Sequence, residues 1–425
     1  MTDKLPPRWA WATLADLGLE VRGQVVPQPG TNYDLYSVPA FPTRRPERID
    51  GSAIKSGKRQ VEPGDVLLCK INPRINRVWI VDESEGRTQL ASTEYLVFRP
   101  RERAMGPFIQ QFLSSPSFRR WIELSVEGAT GSHTRAKSGP ILNQRVPLAP
   151  LGEQKRIVAA IEEHFSGLDA AEDSIRTVGI KISDVAIAAI QQMFSNDWPT
   201  RRIGEIARVG SGATPKRSEP RYWSGGTIPW ITSGATNLRK ISSAGEFITE
   251  DALAETSVKL WPRGTVLVAM YGEGKTRGKA AISQIPATCN QACAAIDYDR
   301  ELVDGQYLLA YLNSQYEMSR ELASGGVQPN LSLGLVKRME IPLPSLRVQQ
   351  HVARRAEEIL EKSEWVSATC AAARKRSEAL RRSILEAAFA GRLVPQDPDD
   401  EPASALLERI AASRSANPDR RRART

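Results

Sequence analysis

The sequence predicts an α+β fold built on a pseudo-twofold internal repeat: two mixed segments, each followed by one long helix, with the two helices packed lengthwise on each other. Three observations predict it. Val146-Pro147-Leu148-Ala149-Pro150-Leu151 opens a helical pattern that ends at Met193-Phe194, and Ile341-Pro342-Leu343-Pro344-Ser345-Leu346 opens a second that ends at Ala388-Phe389. The offset is 195 at the start (341 minus 146) and 195 at the end (389 minus 194), so no gap intervenes. The segments ahead of the helices, 1–151 and 195–346, also match each other, with an offset that drifts between 189 and 200. The scaffold is duplicated, and the loops have diverged.

In 1–151, Trp9 with Leu14 and Leu17 has its counterpart in Trp198 with Ile203 and Ile206. Pro63-Gly64-Asp65-Val66-Leu67-Leu68 reads as a turn running into a short apolar strand, and Pro262, Gly264 and Thr265-Val266-Leu267-Val268 repeat it. Each strand leads into a basic loop: 70–77, with Lys70, Arg74 and Arg77, and 271–279, with Lys275, Arg277 and Lys279. Residues 108–115 then correspond to 307–314.

The central helix, 152–194, places Ile157, His164, Ala171, Val178 and Val185 on one heptad row and Ile161, Leu168, Ile175, Ile182 and Ala189 on the other. A seam held for five heptads is the pattern of a helix lying along a partner helix. The distal helix, 347–390, carries Val352, Ile359, Val366, Ala373 and Leu380 on one row and Ala356, Ser363, Cys370, Ser377 and Ile384 on the other. At 1.5 Å per residue each helix spans roughly 60 Å, a length at which single helices need a partner. The small row of the distal helix, set against the Ile and Leu row of the central one, predicts close approach. The pairing residues expected are Ile157, Ile161, Leu168, Ile175, Val178, Ile182, Val352, Ile359, Val366, Leu380 and Ile384. Gly167 and Gly179 each weaken the central helix by about 1 kcal/mol relative to Ala, so fraying or bending is expected there. Residues 391–425 form a C-terminal extension whose end, Arg420-Arg421-Arg422-Ala423-Arg424, is expected to be disordered.

A chain of 425 residues, 41% hydrophobic, is long enough for two to three domains with sizeable cores. It has no run of 18 apolar residues, and Met1-Thr2-Asp3-Lys4-Leu5-Pro6-Pro7-Arg8 lacks the apolar core of a signal peptide, so a cytoplasmic location is expected. Four cysteines are too few and too scattered for a disulfide framework. Cys289-Asn290-Gln291-Ala292-Cys293 lacks the usual metal-site spacing and a second pair, and His133, His164 and His351 fall in unrelated elements, so no metal is expected. Catalytic motifs are equally weak. Gly210-Ser211-Gly212-Ala213-Thr214 lacks the spacing of a phosphate or dinucleotide loop. Ile71-Asn72-Pro73-Arg74 has Arg where the Asn-Pro-Pro-aromatic loop of a base-modifying enzyme has its second proline. No Gly-x-Ser-x-Gly element is present. No catalytic residue and no cofactor is expected in this chain.

A net charge of +9 and a pI near 9.4 favour a polyanionic partner. Lys and Arg outnumber Asp and Glu by 21 to 15 in residues 1–151 and by 17 to 15 in 195–346, so the excess within each segment is modest and its placement matters more than its size. It gathers in loops: Arg44 and Arg45; Lys70, Arg74 and Arg77; His133, Arg135 and Lys137; Lys216, Arg217 and Arg221; Arg239 and Lys240; Lys275, Arg277 and Lys279. These are the expected DNA contacts. Phosphate contacts supply salt-dependent affinity, while planar polar side chains beside them read base edges.

Two diverged segments, each followed by a long helix entered through Pro147-Leu148-Ala149-Pro150-Leu151-Gly152-Glu153-Gln154 or Pro342-Leu343-Pro344-Ser345-Leu346, closely resemble the specificity subunits of type I restriction-modification systems. Glu153-Gln154-Lys155-Arg156-Ile157 matches that family's helix start well. Arg347-Val348-Gln349-Gln350-His351 keeps only part of it. The stretch Ala388-Phe389-Ala390-Gly391-Arg392-Leu393-Val394-Pro395-Gln396-Asp397-Pro398 is similar to the family's C-terminal end. The resemblance covers essentially the whole chain. It implies two α/β target recognition domains, separated by two long helices that pair as an antiparallel coiled coil. It also implies a non-catalytic, sequence-specific subunit that binds double-stranded DNA at a bipartite target and docks two methyltransferase subunits, through which restriction subunits join. S-adenosylmethionine, ATP and Mg would belong to those partners. A solitary coiled-coil DNA-binding scaffold and a stand-alone DNA methyltransferase or nuclease are the alternatives.

Overall fold

The structure, a computed structural model, describes residues 5–125, 134–271, 276–316 and 331–416. It divides into two compact units, Met1–Ser174 with Ala373–Thr425, and Ile175–Ala372. The central helix, Leu151–Met193, and the distal helix, Leu346–Phe389, each contribute to both units.

In the first unit, strand Ala10–Thr13 pairs antiparallel with Arg145–Leu148, which brings the early chain beside the start of the central helix. Thr13 and Asp16 close a capping box on the short helix Leu14–Leu17. The main sheet has the order Gly18–Glu20, Tyr95–Pro100, Val66–Cys69, Val78–Ile80, antiparallel throughout. Val66 and Leu68 pack with Phe98, Phe108 and Phe112 on one face, while Leu67 and Cys69 join Tyr36, Trp79 and Val97 on the other. Burial on both faces, with side chains alternating, explains why this strand reads as an unbroken apolar run. A second sheet orders Glu47–Asp50, Asn32–Tyr36, Thr88–Ala91 and Arg59–Val61.

The second unit repeats this plan. Its main sheet runs Ala207–Ser211, Cys293–Tyr298, Val266–Ala269, Ala280–Ser283, with Lys240–Ile241 added in parallel at the edge. Val266 and Val268 face Ile282, Ile296 and Tyr307, and Leu267 faces Ile241, Trp261 and Ala295. The turn before the strand is conserved between copies: Gly64 (φ 88°) and Gly264 (φ 91°) each donate a 2.8 Å hydrogen bond, to Val81 O and Ser283 O. Their positive φ is what makes glycine necessary here.

The duplicated helix ends bury duplicated aromatic clusters. Phe389 packs at 5.2 Å from Phe108 and 5.5 Å from Phe112, and its counterpart Phe194 at 5.2 Å from Tyr307 and 5.1 Å from Tyr311. The helix starts share a glutamine: Gln154 Nε2 donates to Ala149 O and Gln349 Nε2 to Pro344 O, both at 2.8 Å. Glu153, also buried, accepts the Trp9 indole N–H at 3.0 Å, whereas Val348 in its place is 36% exposed. The part of the helix start kept by both copies is therefore the glutamine clamp.

The helices pair antiparallel, since Asp169 meets Arg381 at 2.7 Å and Glu172 meets Ser377. The register of the central seam differs from the expected one. Phe165, Leu168, Glu172, Ile175, Gly179, Ile182, Ala186 and Ile190, spaced by three and four, are the residues turned inward. His164, Ala171, Val178 and Val185 are exposed, Val178 by 50%. One seam row thus sits one residue later than its apolarity predicted, because Glu172 in that row is held by Ser377 and by Arg381 at 3.5 Å. On the distal helix Leu380 also leaves the seam, 52% exposed, and Arg381 replaces it, stacked 5.0 Å over Phe165. Ile157, Ile161, Leu168, Ile175, Ile182, Val352, Ile359, Val366 and Ile384 are buried or half-buried. The central helix runs unbroken through Gly167 and Gly179.

The extension after the distal helix folds back on the first unit. Helix Ala403–Ala416 buries Ala403, Leu406 and Ile410 in the core with Trp9 and Ala12. Asp400 accepts from Arg156 at 2.7 Å, and Arg414 lies 3.3 Å from Asp16. The basic end, 417–425, lies outside the described residues.

Candidate nucleic-acid interface

Loop 70–77 of the first unit is tied to its surroundings mainly by main-chain bonds. Lys70 N donates to Glu94 O at 2.9 Å, Ala136 N to Lys70 O at 2.9 Å, and Asn72 N to Thr134 O at 2.9 Å. The second unit has the same frame: Met270 N donates to Ala292 O at 2.7 Å and Leu331 N to Met270 O at 3.1 Å. The side chains on this frame differ completely. Lys70, Glu94 and Arg135 make a charged wall in one copy, with Arg135 paired to Glu94 at 2.5 Å. In the other, Ser211, Met270, Tyr271, Gln291, Ala292, Ser332 and Leu333 line a neutral cavity of about 560 Å³. Burial, with Arg59 and Arg135 nearby, pulls the Lys70 ammonium below its ordinary pKa.

The structure places the expected cations in three different situations. Arg74 is exposed at the loop tip, while Arg77 is half-buried beside the Cys69 thiol, whose pKa is raised by burial. Arg44, at φ 55°, stacks 4.7 Å over Phe41, and Arg45 lines a cavity of about 470 Å³ with Arg48, Arg87 and the carboxylates Asp34, Asp82, Glu83 and Glu85. Lys137 is exposed at the start of helix Ser138–Leu142. In the second unit Lys216 is exposed, and its carbonyl accepts the Trp223 indole N–H at 3.2 Å. Half-buried Lys279 lines a cavity of about 720 Å³ together with Arg239 and Asn237, and Arg277 is half-buried. Arg45, Arg74, Lys216 and Lys279 form no ion pair with a described residue. His133 and Lys275 lie outside the described residues.

Other cations are committed within their own unit. Arg239 pairs with Glu364 at 3.2 Å and Lys240 with Glu357 at 2.6 Å, both carboxylates of the distal helix, so this pair fastens the edge strand to the helix. Arg221 pairs with Glu255 at 2.8 Å. Arg217 pairs with Glu246 and lies 3.9 Å over Trp223 and 4.8 Å over Trp230, a cation caged between two indoles. Their neutralised charge is unavailable to phosphate unless those pairs open.

Several residues at this frame lie outside the expected set. Asn72, Ile75, Asn76 and Arg119 shape the first loop, and Ser211, Tyr271 and Gln291 line its counterpart. None of them belongs to a basic cluster in the sequence, since all are uncharged except Arg119, which is buried. Among the described residues no group of three or more His, Cys, Asp or Glu is placed to hold a metal ion, and no helix is long and apolar enough to cross a membrane. The cysteines are free thiols.

Residues 195–364 match the family model of the type I restriction modification DNA specificity domain. The chain is 35% identical over 161 residues to the MjaIX specificity subunit of Methanocaldococcus jannaschii, covering 37% of this chain and 36% of that one. It is 27% identical over 168 residues to the EcoR124I/EcoR124II specificity subunit of Escherichia coli, covering 39% and 40%. These alignments span well under half the length of the relatives. Two solved structures share the fold: one from a study of complex assembly and conformational transition of the type I R-M system (TM-score 0.79, 22% identity, 92% of this chain and 100% of that one), and the HsdS subunit of Thermoanaerobacter tengcongensis (TM-score 0.58, 20% identity, 92% and 99%).

Proposed function

We propose that this chain, which belongs to the family of type I restriction-modification specificity subunits, is the DNA-reading subunit of such a complex and performs no chemistry itself. Segments 1–151 and 195–346 act as target recognition domains, each reading one half of a bipartite site on double-stranded DNA. The paired helices fix the gap between the halves and dock two methyltransferase subunits, which bring S-adenosylmethionine. Restriction subunits, with ATP and Mg, join through that core, and the complex works in the cytoplasm.

The observation that carries this reading is the duplicated hydrogen-bonded frame with two unlike walls. A pseudo-twofold protein presents equivalent surfaces to two places on a duplex, and unlike walls let those places differ in sequence. Docking on the helices is supported by large apolar side chains outside the seam. Val178, Ile180, Val185, Ile187 and Trp365 are 43 to 70% exposed, as expected of a surface that a partner covers.

The test is methylome sequencing of cells carrying this chain with and without its methyltransferase partner. Adenine methylation at one split motif, only when both are present, is expected. Methyl transfer by the purified chain alone, or an unsplit motif, would refute the reading.

A further inference from the structure

We infer that Arg74, Ile75 and Asn76 form a preorganised reading finger for one half-site, with Arg74 and Asn76 selecting bases, an assignment that rests on the DNA-reading function proposed above. The loop carrying them is fixed on every side. Cys69 N donates to Arg77 O at 3.0 Å and closes its base, while Asn72 N is bonded to Thr134 O. Asn72 holds φ at 47°, in the left-handed region that asparagine tolerates, and Ile75 N donates to Asn72 O at 3.0 Å across a turn with Pro73 in its second position. Arg119, 9% exposed, reaches from a neighbouring helix to donate to Pro73 O. A loop ordered in advance avoids the entropy cost of ordering on binding.

Arg74, Ile75 and Asn76 are all exposed on this base, and the Arg74 and Asn76 side chains make no hydrogen bond or ion pair with a described residue. Ile75 is 42% exposed despite its aliphatic side chain. Two buried polar atoms beside the tip, Asn72 Oδ1 and Arg119 Nη1, have no hydrogen-bond partner among the described residues. Such atoms are rare in finished structure and suit a surface completed by a ligand and its bridging water.

The chemistry of the tip favours bases over phosphate. A guanidinium pairs bidentately with guanine O6 and N7, a carboxamide with adenine N7 and N6, and an aliphatic group packs on the thymine methyl. A loop that only held the backbone would gain nothing from an exposed aliphatic side chain such as Ile75. Lys70, Arg77 and Arg135 behind the tip are half-buried or ion-paired and set the local potential.

The test uses the full chain with its methyltransferase partner, selecting from duplexes randomised across the target, for wild type, Arg74→Ala, Asn76→Ala and Arg119→Gln. Arg74→Ala and Asn76→Ala should each lose preference by roughly 10-fold or more at one or two adjacent base pairs of a single half-site, with the other half unchanged. Arg119→Gln, a positioning change, should blunt the same pairs more weakly. Unchanged preferences in Arg74→Ala and Asn76→Ala would overturn the finger, as would weakening that is equal for all sequences and flattens the salt dependence, which marks a phosphate contact. A wild-type complex that selects no split sequence would overturn the proposed function itself, and the finger with it.

Discussion

Replacing Phe389 by Ala should open a cavity at the centre of the first unit. Phe389 is 5% exposed and touches the rings of Phe108 and Phe112. A buried aromatic removes about 150–250 Å² from water, which at about 25 cal/mol per Å² bounds the loss at about 4–6 kcal/mol before the part that Ala retains is subtracted. Measured Phe→Ala changes in cores fall at about 3–5 kcal/mol, and two aromatic contacts place this one in the upper half. The counterpart Phe194→Ala, at 7% exposure against Tyr307 and Tyr311, should cost about the same in the second unit. Native-state hydrogen exchange reads both: Phe389→Ala should lower protection at the amides of Val66–Cys69, and Phe194→Ala at those of Val266–Ala269. Leu380→Ala, half-exposed outside the seam, should change stability by less than about 0.5 kcal/mol. A loss below about 1 kcal/mol for Phe389→Ala, or equal loss of protection in both strands from one substitution, would refute this account of the duplicated cores.

Three further outcomes are expected. Burial raises the pKa of Glu153, more than the Trp9 hydrogen bond and Arg156 lower it. A carboxyl raised in the folded state destabilises that state progressively as pH climbs from the ordinary carboxylate range through the raised value. The melting-temperature advantage of Glu153→Gln over wild type should therefore grow across that window, and an advantage independent of pH would contradict it. Gly167 and Gly179 sit inside an unbroken helix with open space around an added Cβ, so Gly167→Ala and Gly179→Ala should each stabilise by about 0.5–1 kcal/mol in denaturant titration. Neutral or destabilising results would show that close approach at these glycines matters. Removing one heptad from each long helix shortens both by roughly 10 Å, and the methylated motif should lose about three base pairs of spacer at 3.4 Å each. An unchanged spacer in a folded variant would refute the proposal that the paired helices fix the gap between the half-sites.

The repeat, the apolar strands at 66 and 266 and the lengthwise pairing of two long helices are legible, because each depends on local periodicity or on a fixed offset. The antiparallel sense of that pairing is implied by the family resemblance, and the short helices at 14 and 203 are too brief to leave a periodic signal and go unread. The central seam was misphased for a physical reason. Apolarity favours the row of Ala171, Val178 and Val185, yet the row turned inward holds Glu172 and Gly179. The glutamate is tolerated only because Ser377 and Arg381, some 205 residues away, satisfy it. The same blindness affects charge. Arg239 and Lys240 look free in sequence, and their carboxylates lie 125 and 117 residues further on. The tip at Arg74 was legible as a basic loop, but its anchor Arg119 was not, since a buried cation bonded to a proline carbonyl leaves no local trace.

The frame shared by Lys70 and Met270 is built from main-chain atoms alone, so no bond in it depends on which side chain stands there. Substitution at the half-buried positions 70, 94 or 292 leaves that support intact, whereas Ala136, Met270 and Leu331 belong to the cores and are held by packing as well. At those half-buried positions the surface can change while the bonds beneath it stay as they are. If each segment reads one half of a split target, as proposed, one half can change at such positions while the other stays as it was.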